Sequence, residues 1–327
     1  MHSPKHVRAC IWLLIGTAVW GLSFPVIKAS VLAQQKIIPN MDSEFFAAML
    51  SVVRFGVAAV IVALFSFRTW GRMTKLEWEQ GVGLGVFGGL GILFQMDGLA
   101  YTSASTSAFL TQFTCVLIPL WVALRKRALP RLAVTISCIM VLAGVAVLSQ
   151  FDWRDFKLGR GEWETILAAV FFTGQILWLE RRRYGSNRVS HFSVIMFAII
   201  AVLSLPVAIA TKPAGHGLFD GYRSMEVLVL VAIIAFGCTL MAYTVMNMWQ
   251  PHVTATEAGL IYCVEPLYAS VFALYLPGWI SRFANIDYPN EQITKHLLIG
   301  GGLITLANVL IQIDASRQRR KFEREKS

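Results

Sequence analysis

The chain repeats itself. Ten apolar stretches run along it, at residues 10–33, 45–67, 80–101, 103–124, 132–149, 163–179, 189–210, 227–248, 255–276 and 297–313, and the second five read as a diverged copy of the first. About 20 apolar residues in a helix cross a hydrocarbon core of roughly 30 Å. The best internal match joins the fourth stretch to the ninth, where Ala104-Ser-Thr-Ser-Ala-Phe-Leu110 aligns without a gap on Thr254-Ala-Thr-Glu-Ala-Gly-Leu260. An odd number of crossings in each half turns the two copies upside down relative to each other. Inverted repeats of this kind mark secondary transporters, with the site at the repeat interface. The predicted fold is an all-α polytopic membrane protein of ten transmembrane helices in two inverted five-helix repeats, 10–149 and 162–313.

Charge supports the same reading. Charged residues make up 15% of the chain and hydrophobic ones 56%, whereas soluble domains carry about 25% charged residues. The net charge of +10 is unevenly placed. With the N-terminus inside, 19 Lys and Arg fall on cytoplasmic segments and 8 on the opposite side, which is the positive-inside bias. The basic tail at 317–326 reads as a solvated cytoplasmic segment near anionic lipid. A nucleic-acid role is disfavoured, since only Phe322 interleaves with those charges. Both termini are expected in the cytoplasm, with the protein in a bacterial cytoplasmic (inner) membrane. Cys10, Cys115, Cys138, Cys238 and Cys263 all fall inside spans without metal-ligand spacing and read as small packing residues.

The first stretch resembles a cleavable signal, with Lys5 and Arg8 ahead of it. Its apolar run exceeds a signal core of about 7–15 residues and contains Pro25 and Lys28, so a retained helix is expected. A polar linker at 150–161 divides the halves. The last external loop, 277–296, is long and reads as an insertion in preference to a lid. In the third stretch, Gly83-x-Gly85-x-x-Gly88 spells a dinucleotide fingerprint. That motif needs a strand before it and a phosphate above it, and here it lies inside an apolar helix. Gly81, Gly85 and Gly89 share one helical face, where a neighbouring helix can approach closely; Gly300–Gly302 read likewise. Pro25, Pro119, Pro206 and Pro266 lie within spans and permit kinks.

Several short motifs resemble those of EamA-domain proteins of the drug/metabolite transporter superfamily. Trp20-Gly-Leu-Ser-Phe24, Gly98-Leu-Ala-Tyr-Thr-Ser-Ala104 and Ala108-Phe-Leu-Thr111 are similar to the first EamA repeat, and Glu257-Ala-Gly-Leu260 with Val264-Glu-Pro266 to the second. Val264 stands where leucine is usual, and Pro277-Gly-Trp279 replaces a Gly-Glu pair. The resemblance spans the chain apart from its tails and final loop. It implies a ten-helix bundle with a central cavity for small organic solutes, working as an exporter driven by an ion gradient.

The alignment of the fourth and ninth stretches also selects candidate site residues. It sets Gln112 on Tyr262 and Cys115 on Glu265, all near mid-membrane. A carboxylate at that depth is costly and faces a cavity or a partner. Glu265 is therefore a candidate for proton or cation coupling, or else a structural carboxylate holding nearby backbone. Trp20, Gln112 and Tyr262 suit a mostly apolar pocket with a few oriented polar groups. Gln175, Trp178 and Tyr243 are weaker candidates from the sixth and eighth helices. Trp20 reads equally as plain core. Arg54, deep in the second helix, is expected to pair with Asp97 in preference to binding a substrate carboxylate.

Enzymatic chemistry has little to stand on. His2, His6, His191, His216, His252 and His296 all lie at or outside span ends, and no His-Glu-x-x-His or Gly-x-Ser-x-Gly motif occurs. No cofactor or metal is expected. The expected partners are a small organic solute, the bilayer and protons, with monomer and homodimer both open. A non-transporting scaffold or sensor is the alternative, though it would not need matched polar faces on helices four and nine.

Overall fold

Helix follows the apolar runs closely, with informative exceptions. The computed structural model describes residues 4–39, 41–102, 104–148, 151, 154 and 158–326, and among them every regular element is helical. The first half holds α1 (Pro4–Gln35), α2 (Ser43–Ser66), α3 (Lys75–Tyr101), α4 (Ala104–Thr111), α5 (Thr114–Lys126) and α6 (Leu132–Leu148). The second half holds α7 (Arg160–Leu179), α8 (Val189–Ala210) and α9 (Met225–Ala232). A π-helical segment, Ile233–Met241, then runs into α10 (Ala242–Trp249). It is followed by α11 (Ala255–Tyr262), α12 (Glu265–Ala273), α13 (Leu276–Ala284) and α14 (Lys295–Lys326).

Among the described residues, six helical stretches are long and apolar enough to cross a membrane: Lys5–Gln35, Ser43–Arg72, Lys75–Gly98, Phe109–Lys126, Val189–Ala210 and Met225–His252. The pair Ala255–Ala273 and Leu276–Ala284, bent by 59°, makes a seventh if taken as one span, and Leu132–Leu148 and Lys295–Ile311 are apolar but shorter. The protein is a multi-pass membrane protein. Half of the 150–161 linker, residues 150, 152, 153 and 155–157, lies outside the described residues.

Two spans carry a local break in the helical hydrogen bonding without a large bend, since Phe109–Lys126 and Ala255–Ala273 each still run as one stretch. The fourth is interrupted at Gln112–Phe113, between α4 and α5, and the ninth at Cys263–Val264, between α11 and α12. At the first break the backbone tightens into i→i+3 bonds: Gln112 N donates to Phe109 O (3.2 Å), Phe113 N to Leu110 O (3.1 Å) and Cys115 N to Gln112 O (3.0 Å). At the second, Val264 N donates to Ile261 O (3.1 Å) and Leu267 N to Val264 O (3.0 Å). A proline follows each break, Pro119 inside α5 and Pro266 in the first turn of α12. Lacking an N–H, Pro119 leaves the carbonyl four residues earlier without its helical donor. That carbonyl belongs to Cys115, and the Cys138 thiol of α6 donates to it at 3.0 Å.

Small residues set the packing. A side chain on Gly85 would place its Cβ 2.6 Å from Ile199 of α8, and one on Gly83 would place it 2.3 Å from the Trp178 ring of α7. The glycine run of α3 thus admits α8 on one face and α7 on another, as the spacing of Gly81, Gly85 and Gly89 predicts. Gly144 of α6 and Gly300 of α14 meet in the same way. The principal contacts are α2 on α8, α3 on α7 and α8, α6 on α14, and α1 on α12 and α10.

At the end of the bundle that holds the N-terminus, two buried His–Glu pairs close the helix entrances. Thr74 and Glu77 form a capping box at α3, and the Glu77 carboxylate also accepts from Arg188 N (2.9 Å) and meets His191 Nδ1 (3.0 Å). Thr254 and Glu257 form the same box at α11, and Glu257 meets His6 Nε2 at 3.1 Å. At the opposite end, the 277–296 insertion contains α13 and folds back on itself. Glu291 N donates to Ala273 O (2.9 Å), Ser281 Oγ to Tyr288 O (2.7 Å) and Lys36 Nζ to Asn285 O. Ala284, Ile286 and Tyr288 join the apolar cluster formed by the adjoining ends of α1, α2 and α9.

Candidate functional site

Four aromatic rings from four helices meet in the middle of the bundle. Trp20 of α1 lies edge-on to Tyr243 of α10 (5.2 Å between ring centres) and to Tyr262 at the end of α11 (5.4 Å). Phe55 of α2 approaches Tyr243 at 5.4 Å. Edge-to-face rings suit the quadrupole of each partner, so the cluster holds itself without outside support. Tyr262 Oη donates to Gln250 Oε1 (2.8 Å), and Gln250 Nε2 donates to Ile176 O of α7 (2.9 Å). Gln250 lies just past the predicted eighth span, and sequence reasoning missed it.

Two charges flank this cluster. Glu265 opens α12, directly after the break, and is half-buried. Arg54 is 9% exposed, and its guanidinium lies over the Phe55 ring at 4.7 Å. Tyr243 lies within electrostatic reach of both. Neither charged group has a hydrogen bond or ion pair among the described residues, and Arg54 Nε is buried without a partner. The expected Arg54–Asp97 pair does not form. Asp97 binds Arg160 Nη2 at 2.7 Å instead, because Asp97 sits in the last turns of α3, beside the first residue of α7, while Arg54 lies at the middle of α2.

The remaining candidates are placed differently. Gln112 is buried at the α4–α5 break. Gln175 and Trp178 lie on the face of α7 that meets the α3 glycines: Gln175 Nε2 reaches Leu84 O at 3.5 Å, and Trp178 packs on Phe87 with Arg181 over its ring at 3.7 Å. Trp20, Tyr243 and Tyr262 are therefore brought together with Glu265 near Tyr243, and Trp178 packs against the same apolar cluster from the α7 side. Cys115, Cys138 and Cys263 gather in one apolar cluster around both breaks. A crevice of about 680 Å³ opens beside the site, between α2, the entrance of α8 and the π segment with α10.

Fold and site thus define a polytopic helical membrane protein with broken helices and unpaired charges at its centre. Residues 7–150 match the EamA-like transporter family, the family that the sequence motifs resemble. Two proteins of Archaeoglobus fulgidus, each described as an uncharacterized transporter, are similar over nearly the full length. One is 26% identical over 311 residues, covering 94% of this chain and 87% of that protein. The other is 22% identical over 321 residues, covering 95% and 98%. A protein of known crystal structure shares the fold with a TM-score of 0.68 at 16% identity, over 96% of this chain and 99% of the other.

Proposed function

We propose that this chain is a secondary transporter that carries small organic solutes across the membrane by alternating access between two inverted five-helix repeats, 10–149 and 162–313. The observation that carries this reading is the pair of matched breaks. The offset of 150 that sets Ala104 on Thr254 also sets the Gln112–Phe113 break within one residue of the Cys263–Val264 break. Transporter sites are typically built from discontinuous helices at the repeat interface.

The packing supports the same pairing. Exchange α1 with α7, α2 with α8, α3 with α9–α10, α4–α5 with α11–α12, and α6 with α14. The α2–α8 and α6–α14 contacts then map onto themselves, α3–α7 maps onto α1 against α9–α10, and α1–α12 maps onto α7–α5. All of these contacts are present.

On this reading Trp20, Tyr243 and Tyr262 contact the solute, with Gln112, Gln175 and Trp178 lining its path as the helices rock. Glu265 couples solute to protons: it stands at a break, in mid-membrane, with no residue neutralising it. Export is the direction that the family resemblance implies, and the charge bias places both termini in the cytoplasm. In proteoliposomes, Glu265→Gln is expected to keep downhill solute exchange and to lose accumulation driven by a pH gradient. Unchanged pH-driven accumulation in that variant would remove Glu265 from coupling, and absence of exchange of any solute by the wild type would remove the transporter reading.

A further inference from the structure

Among the described residues, Arg54 is the one lysine or arginine that is buried. It is 9% exposed, at mid-helix in α2, with Nε buried and unpartnered. Its surroundings are neutral: the Phe55 ring beneath it, Tyr243 of α10, and Cys238 of the π segment. The acidic residue nearest in sequence logic, Asp97, is engaged by Arg160. Glu265 lies beyond Tyr243, which lies within electrostatic reach of both charges, and no interaction between Arg54 and Glu265 themselves is resolved. A cation at this depth is expensive, and such residues ordinarily pair or mark a solute pathway.

The crevice begins about two turns further along the same helix. Arg54, Ala58, Ile61 and Phe65 recur at helical spacing along one face of α2, and Ile61 and Phe65 line the crevice. Arg188 lies at its wall near the entrance of α8. The opposite wall comes from the π segment and α10, with Phe236 and Leu240 among its residues. π-helical turns often occur at functional sites, because the wider winding displaces side chains from the regular register. The crevice is thus mostly apolar, with the hydroxyls of Ser66, Thr69, Ser190 and Thr244 among its lining, one guanidinium on its wall and another further along the same face of α2.

We propose that Arg54 anchors the transported solute, and that this solute is a small organic carboxylate with an apolar or aromatic body, entering along the crevice between α2 and the π segment. The proposal rests on the transporter reading and adds the charge class of the solute. A guanidinium presents a planar fork of donors that matches a carboxylate with two parallel bonds. The aromatic faces of Phe55, Tyr243 and Trp20 stand beside it to receive the body. An amine of the same shape would meet Arg54 as a like charge, and an alcohol would leave the cation unneutralised.

The test compares ligands that differ only in the head group. Purified full-length protein in nanodiscs is titrated with a series of arylalkyl carboxylates, 3-phenylpropionate among them, and with the matching amines and alcohols. Binding is read by thermal shift and by quenching of tryptophan fluorescence. Some carboxylates are expected to bind at least about tenfold more tightly than their amine and alcohol counterparts, as a charge-assisted pair supplies. Arg54→Gln should abolish that preference and Arg54→Lys should keep part of it. The wild-type comparison stands even if Arg54→Gln fails to fold. Equal binding of amine or alcohol, binding of no carboxylate in the series, or full carboxylate preference in a folded Arg54→Gln would overturn the proposal. Counterflow of the bound carboxylate in proteoliposomes separates the two readings: Arg54-dependent binding without exchange would leave the anion site standing and remove the transporter.

Discussion

The two buried His–Glu pairs at one end of the bundle and the central charges, buried Arg54 and half-buried Glu265, are treated in opposite ways. Glu77 is 2% exposed and takes donors from Thr74 N, Arg188 N and His191, with the other nitrogen of His191 meeting Thr69 Oγ1 at 2.7 Å. Glu257 is placed likewise, between Thr254 and His6. Arg54 and Glu265 have no hydrogen-bond or ion-pair partner among the described residues. A buried carboxylate whose lone pairs are filled serves stability, since removing it strands its donors. A buried charge left open costs stability, and it persists where something outside the fold completes it. The ends of this protein are fastened; its centre is held ready.

Substitutions at the fastened end should break the fold first. Glu77→Ala strands His191 and the Arg188 and Thr74 amides, and breaking a buried pair costs about 3–5 kcal/mol. Folded yield and melting temperature in detergent should both drop sharply. A melting temperature unchanged from wild type would mean the α3 entrance is not a fastening point. Gly85→Val comes next. Its Cβ would lie 2.6 Å from Ile199 and 3.0 Å from Met196 O, so α3 must move off α8 at a cost of roughly 1–3 kcal/mol. Gly56, whose added Cβ meets nothing within 4 Å, is the control: Gly56→Ala should melt at or above the wild-type temperature. The smallest effect is expected from Thr254→Ala, which removes one cap acceptor at α11 for about 1 kcal/mol while Glu257 keeps His6. Hydrogen exchange should rise in the first turn of α11 and stay unchanged in α3.

The two regions were not equally legible in the sequence. Apolar length located the helices, and residues 189–210 coincide with α8 to the residue. The breaks were hidden because Gln112–Phe113 and Cys263–Val264 interrupt hydrogen bonding without interrupting hydrophobicity. Pro119 and Pro266 lie in the interrupted spans, yet each break falls on the N-terminal side of its proline, six residues before Pro119 and two before Pro266. The fastened end left a signal that went unread. Thr74-x-x-Glu77 and Thr254-x-x-Glu257 both spell a capping box, and the histidines that complete them come from α8 and α1, which only tertiary packing brings near. Trp20, Tyr243, Tyr262 and Glu265 converge as mid-span positions should. Gln175 and Trp178 face α3, since the α3 glycines open that face to them. Arg54 has no hydrogen-bond or ion-pair partner among the described residues, although its depth in the second span calls for one.

The contrast between ends and centre is tested most directly by making the same substitution in both places. Glu77→Gln and Glu265→Gln each remove a negative charge and keep shape and hydrogen-bonding capacity. Melting temperature and pH-driven solute accumulation are then measured on the same two preparations. Glu77→Gln should melt well below wild type, because His191 and two backbone amides lose a charged acceptor. Glu265→Gln should melt at or above wild type, because it relieves an open charge, and should lose pH-driven accumulation while keeping downhill exchange. A Glu265→Gln protein that melts as low as Glu77→Gln would make the central carboxylate another fastening and contradict the account.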